Sequence, residues 1–123
     1  MSSPTVEKPQ KIKTYTEFWP FYVCEHSHPK NRVLHFVGTT LGLILLISGI
    51  ALGSGWVILL SAVSGYFFAW IGHFLVEKNR PATFTYPFWS LISDFKMWAL
   101  TILGKMDSEV DKACRQRRAF ENR

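Results

Sequence analysis

Between Val33 and Leu75 the chain carries no Asp, Glu, Lys or Arg, and few folds can accommodate such a run. Gly53-Ser54-Gly55 divides it into Val33–Leu52 and Trp56–Leu75, each about 20 residues or roughly 30 Å as helix, the thickness of a bilayer's hydrocarbon layer. A soluble protein could hold two such helices only by covering them on every side. A chain of 123 residues has too little material to do so. The pattern predicts an all-α integral membrane fold: a hairpin of two transmembrane helices, flanking interfacial helices and a polar C-terminal helix.

The charges sort accordingly. Of the 14 Lys and Arg, five precede the uncharged run, nine follow it and none lies in the glycine turn, so both chain ends are expected on the cytoplasmic side. That membrane would be the endoplasmic reticulum in a eukaryote or the inner membrane in a bacterium. The opening "MSSPTVEKPQKIK" is polar and leads into no apolar core segment, so the hairpin itself is expected to direct insertion. We divide the chain into a disordered tail (1–13), a membrane-embedded domain (14–104) and a charged cytoplasmic tail (105–123).

Within the middle domain, Thr14 or Thr16 is expected to cap a short aromatic helix running to about Glu25 and lying in the interface. Pro29 then starts the first span, with Ser27 or His28 as its cap, and Pro81 ends or kinks the second. The segment "YPFWSLISDFKMWALTIL" is apolar, but Asp94 and Lys96 near its middle would be costly in hydrocarbon. It therefore reads as an interfacial or re-entrant helix with Ser90, Asp94, Met97 and Thr101 on one face.

The net charge of +5 sits in flanks suited to anionic headgroups. Basic residues interleaved with Glu109, Asp111 and Glu121, without a recognisable nucleic-acid module, exclude a nucleic-acid partner. Cys24 and Cys114 read as two isolated thiols on the cytoplasmic side, without a disulfide. There is no glycine-rich phosphate loop, no GxSxG and no HExxH. Gly38 and Gly42 form a GxxxG that would permit a homodimer.

What remains is the four histidines. With the turn centred near Ser54, antiparallel arms bring His35 level with His73 at the hairpin's mouth, and His26 and His28 reach the same level from the preceding turn. Helical spacing adds Asn31 four residues before His35, and Glu77 and Arg80 on the face of His73. Neutral imidazoles are ligands for iron, zinc, copper and nickel, and carboxylates ligate or orient them. The candidate ligands of one metal ion are thus His26, His28, His35 and His73, with Glu77 beside them. The eight-histidine pattern of membrane di-iron enzymes cannot be built from four. At a membrane boundary each of these groups could equally be a solvated polar residue, His28 and Glu77 most readily.

"FYVCEHSHPKNRVLHFVGT" and "WIGHFLVEKNRPATFTYP" together resemble the small integral-membrane family related to the fungal 2-hydroxy fatty acid dioxygenase. The shared pattern is His26, Asn31 and His35, then Gly72, His73, Glu77, Pro81 and Ala82, over roughly residues 18 to 104. The resemblance implies an Fe(II)-dependent dioxygenase acting on long-chain 2-hydroxy fatty acids, with dioxygen as co-substrate and loss of one carbon, in breakdown of sphingoid bases. It implies His26, His35 and His73 as the iron-holding residues, helped by His28 or Glu77. Asn31 would orient His35, and Lys78 or Arg80 would steer the substrate's carboxylate. Two other functions remain open on the residues: a zinc-dependent membrane lipid hydrolase, and a non-enzymatic module binding lipid or a partner.

Overall fold

The computed structural model describes residues 11–121, and among them every regular element is helical. Five helices follow one another: α1 (Tyr15–Cys24), α2 (Pro29–Leu52), α3 (Gly55–Ile71), α4 (Pro87–Ile102) and α5 (Met106–Glu121). α3 runs on into a π-helical turn, Gly72–Glu77, and a short 3-10 turn, Ala82–Phe84, leads into α4. Thr14 caps α1 by accepting from the Glu17 N–H at 3.3 Å, and Pro29 opens α2 where its missing N–H costs nothing. Residues 1–10 of the expected N-terminal tail lie outside the described residues. Ile12 packs on the core and donates its N–H to the Tyr86 hydroxyl at 2.8 Å.

α2 and α3 form the antiparallel hairpin. Gly53 ends α2 at φ 64°, a left-handed conformation glycine takes without penalty. Ser54 accepts the Val57 N–H and starts α3. Both helices, the second counted through Glu77, are long and apolar enough to cross a membrane. A core helix of a soluble protein would be mostly buried, whereas only 17% and 22% of these two windows are. Ile47, Leu52 and Trp56 are 67%, 75% and 82% exposed. An apolar surface of that extent suits contact with lipid or with another protein surface.

The hydrophobic core lies elsewhere, in a cap built by α1, α4 and α5. Phe18, Tyr22 and Val23 of α1 meet Met97 of α4 and Met106 and Ala113 of α5. Phe18 sits against the Tyr86 and Trp89 rings at 5.3 and 5.5 Å. The aromatic helix is thus the centre of a small protein core. α4 buries Ser90, Ser93 and Met97 against its neighbours, and Trp98 donates to Thr40 of α2 at 2.9 Å.

One expectation changes, and the glycine pair finds a neighbour within the chain. Cys24 and Cys114 are joined as a disulfide rather than standing as isolated thiols, because α5 folds back along α1. Separation along the chain says nothing about distance once two helices pack. Gly38 and Gly42 face α3 within the hairpin, Gly38 against Phe68 and Gly42 against Ser61, so the GxxxG that suggested a homodimer is occupied within one chain.

Gly72 marks the tightest approach, for a methyl group there would fall onto the amide of Asn31. Gly72→Ala is expected to cost about 1–3 kcal/mol by overpacking, read as a lower Tm in detergent. An unchanged Tm would show that Asn31 moves aside freely.

Candidate metal centre

Three histidines meet where the cap sits on the hairpin. His26 comes from the turn after α1, His35 from the second turn of α2 and His73 from the π-helical turn that continues α3. The extra residue of a π turn re-aims the side chains that follow it, and such turns recur at functional sites. All three rings are buried. Their centroids are 4.4, 4.4 and 4.9 Å apart, and one ring nitrogen from each lies within 4.8 Å of the others.

The hydrogen bonds fix which nitrogens face inward. His26 Nδ1 is 2.6 Å from the Tyr22 carbonyl, which can only accept, so Nδ1 carries the proton. His73 Nδ1 is 2.7 Å from Asn79 Oδ1. The Asn79 amide donates to the Glu25 carbonyl and carboxylate at 3.0 and 2.6 Å, which fixes its oxygen as the acceptor and gives His73 an Nδ1 proton too. The two Nε2 atoms, 3.0 Å apart, are then both lone pairs. His35 Nε2 is buried without a hydrogen-bond partner, and its Nδ1 lies 3.9 Å from Asp94. Burial, with His35 and His73 alongside, pushes His26 well below the ordinary imidazole range, so that it is neutral at pH 7. Mutually facing lone pairs in a dry site lack a positive partner. A cation bound by three neutral imidazoles supplies one, so the donor set fits a metal ion.

The surrounding groups hold the rings in place. Asn79 also donates its backbone N–H to the His73 carbonyl at 3.0 Å, pinning that residue at both ends. Arg32 donates to the His26 and Ser27 carbonyls at 3.0 and 2.7 Å and to Asp107 at 2.8 Å, fixing the turn that carries His26. Tyr22 donates its hydroxyl to Asp94. Burial raises the Asp94 carboxyl to about 7, against the pull of the Tyr22 bond.

Other residues picked out in the sequence lie elsewhere. His28, expected among the ligands, is exposed and is the N-cap of α2: its Nδ1 accepts the Lys30 N–H at 3.1 Å. Pro29 directs the chain into the helix and carries that ring away from the other three. Glu77 accepts the His28 N–H at 2.5 Å and the Asn31 amide at 3.4 Å, tying the turn to the end of the hairpin. Asn31 is fully buried against Gly72 and Glu77. Lys78 and Arg80 line an open hollow with Phe74, Asn79 and Phe84, and the Arg80 guanidinium lies 5.2 Å over the Phe84 ring.

The sequence reading missed Tyr22, Asn79 and Asp94 as partners of the triad. Tyr22 stood one turn before His26. Asp94 shared a predicted face with Ser90 and Met97 but was read, with Lys96, only as a cost in hydrocarbon; Lys96 lies 4.1 Å over the Trp19 ring. Asn79 had no periodic signal, because it follows the left-handed residue Lys78 at φ 58°.

The family model described as 2-hydroxy-palmitic acid dioxygenase Mpo1-like matches residues 12–106, which include all three histidines and every partner above except Asp107. The chain belongs to this family. No curated protein and no solved structure matches it. The Mpo1-like match begins at the residue that docks on Tyr86 and ends at the first residue of α5, so it takes in both the hairpin and most of the cap.

Asn79→Ala is expected to free the His73 ring and weaken binding of Fe(II) or Zn(II), each titrated alone, by about 10- to 100-fold. Affinity equal to wild type would show that Asn79 does not orient His73.

Proposed function

We propose that this member of the Mpo1-like family is an Fe(II)-dependent membrane dioxygenase that shortens long-chain 2-hydroxy fatty acids by one carbon, with His26, His35 and His73 holding the iron. The observation that carries this reading is the convergence of one ring nitrogen from each of three buried histidines, the Nε2 atoms of His26 and His73 being fixed as lone pairs by the bonds of their own Nδ1 atoms. When bound, iron supplies the open positions and the electrons that activation of dioxygen requires.

The chain's own residues do the rest. Tyr22 and Asn79 fix two rings through Nδ1, and Asp94 stands beside the third. The buried surroundings keep bulk water from the reacting carbon. Lys78 and Arg80, on the neighbouring rim by Asn79, attract the acid's carboxylate over longer range. Glu77, with Asn31, acts as a positioning group for the turn that carries His26.

The hairpin carries both chain ends to one face of the membrane. The basic flanks support the cytoplasmic face, of the endoplasmic reticulum in a eukaryote or the inner membrane in a bacterium. The Cys24–Cys114 bond supports an oxidising side instead. Trapping the thiols during extraction from the membrane decides between them.

Protein purified in detergent without chelators is expected to carry one metal ion and, with Fe(II) and dioxygen, to cleave the C1–C2 bond of a long-chain 2-hydroxy acid, giving the acid one carbon shorter. C1 is released as carbon dioxide and one water is formed, the substrate supplying all four electrons that reduce the dioxygen. His35→Ala and His73→Ala are each expected to lose the bound metal together with that conversion. No shortened product, with metal content unchanged in both variants, would sink the proposal. Three imidazoles also suit catalytic zinc; stoichiometric zinc with oxygen-independent hydrolysis of a lipid would replace the reading with that one.

A further inference from the structure

An apolar groove of about 400 Å³ starts at the metal centre and runs down the hairpin between α2 and α3, with α4 along one side. On the α2 side it is lined by His35, Gly38, Gly42 and Leu46, and on the α3 side by Ala62, Gly65 and Ala69. The α2 residues lie at spacings of three or four along one helical face. Small residues there keep the floor of the groove open. Thr39, Tyr66 and Ser61 also line it, Ser61 at the deep end with its hydroxyl donated to the Ile58 carbonyl, while Asp94 and His35, whose buried Nε2 has no hydrogen-bond partner, line the opposite end.

From the proposed function, on which this rests, we infer that the groove holds the acyl tail of the 2-hydroxy acid, with Leu46 and Ala62 at its deep end setting the chain length accepted. From His35 to Leu46 the helix rises about 16 Å, close to half of a roughly 30 Å hydrocarbon layer and so to the reach of one acyl tail in one leaflet. The volume falls within the range of small-molecule sites. An occupant must be apolar along most of its length and polar at one end, because the walls are mostly apolar and one end opens on His35 and Asp94 beside the three-histidine cluster, a combination a helix from a second copy does not match. A single-chain acid meets both demands. Its polar head reaches the three histidines while its methyl end lies near Leu46.

The test uses full-length protein in lipid nanodiscs, loaded with Zn(II) under anaerobic conditions so that binding is read without turnover. Two long-chain 2-hydroxy acids serve as probes, one with a photoreactive diazirine at the methyl end and one with it near the carboxyl. The methyl-end probe is expected to label Leu46 or Ala62, and the other Ala69 or Gly38. Identical labelling by both probes, or labelling confined to outward residues such as Ile47 and Ile50, overturns the inference. Ala62→Phe is expected to shift relative affinity towards shorter acids, and Leu46→Ala towards longer ones, by about tenfold between neighbouring chain lengths, with Zn(II) content unchanged. Metal-loaded variants with an unaltered chain-length profile overturn it. If neither variant folds, the labelling of the wild type decides. End-specific labelling without shortened product from the iron-loaded protein in air upholds the groove and sinks the dioxygenase. Shortened product with end-independent labelling does the reverse.

Discussion

The Nε2 atoms of His26 and His73 face each other at 3.0 Å while the Nδ1 atom of each ring already gives its proton to an oxygen that can only accept. In water such a pair would rotate apart or take a solvent molecule between them. Here neither ring can turn, because Tyr22 holds one and Asn79 the other, and Asn79 is itself held by Glu25. The third ring adds a nitrogen within 4.8 Å of that pair, and its Nε2 has no hydrogen-bond partner. Buried polar atoms without partners cost free energy, so the arrangement is one that a cation would stabilise and that the surrounding side chains must hold against repulsion. The dense set of bonds around Glu25, Arg32 and Asn79 does that holding.

The hairpin was legible because a long uncharged run and a glycine turn leave few alternatives. The absence of charge from Val33 to Leu75 and the Gly53-Ser54-Gly55 turn mark two long apolar helices joined tightly, and both are visible without knowing the tertiary structure. The level of His35 against His73 followed from antiparallel arithmetic alone. Glu77 shows where that arithmetic stops. A continuous α-helix would carry His73 and Glu77 one turn apart on one face, but the π turn from Gly72 changes the phase. Glu77 then meets the His28 N–H, and the left-handed Lys78 lets Asn79 fold back onto His73. Periodicity has no term for an inserted residue. His28 was ambiguous for a different reason, since one ring nitrogen serves equally as a cap or a ligand and only the path of the chain after Pro29 decides.

Cys24 and Cys114 expose another limit. Each was judged by its neighbours in sequence, yet the bond depends on α5 lying along α1, which follows from Met106 and Ala113 entering the core formed by Phe18, Tyr22 and Val23. The charged residues of α5 suggested a solvated tail, and its outer face is one. A helix with one apolar stripe satisfies both descriptions. Asp94 belongs with this group of misjudged residues. Its charge marked α4 as unfit to cross hydrocarbon, which the packed cap explains, but the same charge was the clue to what α4 does: it carries a carboxylate to the edge of the triad.

Neither half of the molecule contains the centre by itself. The hairpin supplies His35 and His73, and the turn leaving α1 supplies His26, so docking of the cap onto the hairpin is the same event as assembly of the site. This explains why so many polar contacts cross that junction. Asn79 reaches Glu25, Glu77 reaches the His28 backbone, and Arg32 bridges the His26 turn to Asp107. The Arg32–Asp107 pair contributes little as a charge interaction, because Asp107 is almost wholly exposed. Its value is geometric: the same guanidinium that meets Asp107 also fixes the carbonyls of His26 and Ser27. A ring that must stand within an ångström or so of its proper place, at the boundary between an apolar hairpin and a packed cap, needs its backbone restrained from both sides. The sequence places those restraints within a few residues of each histidine.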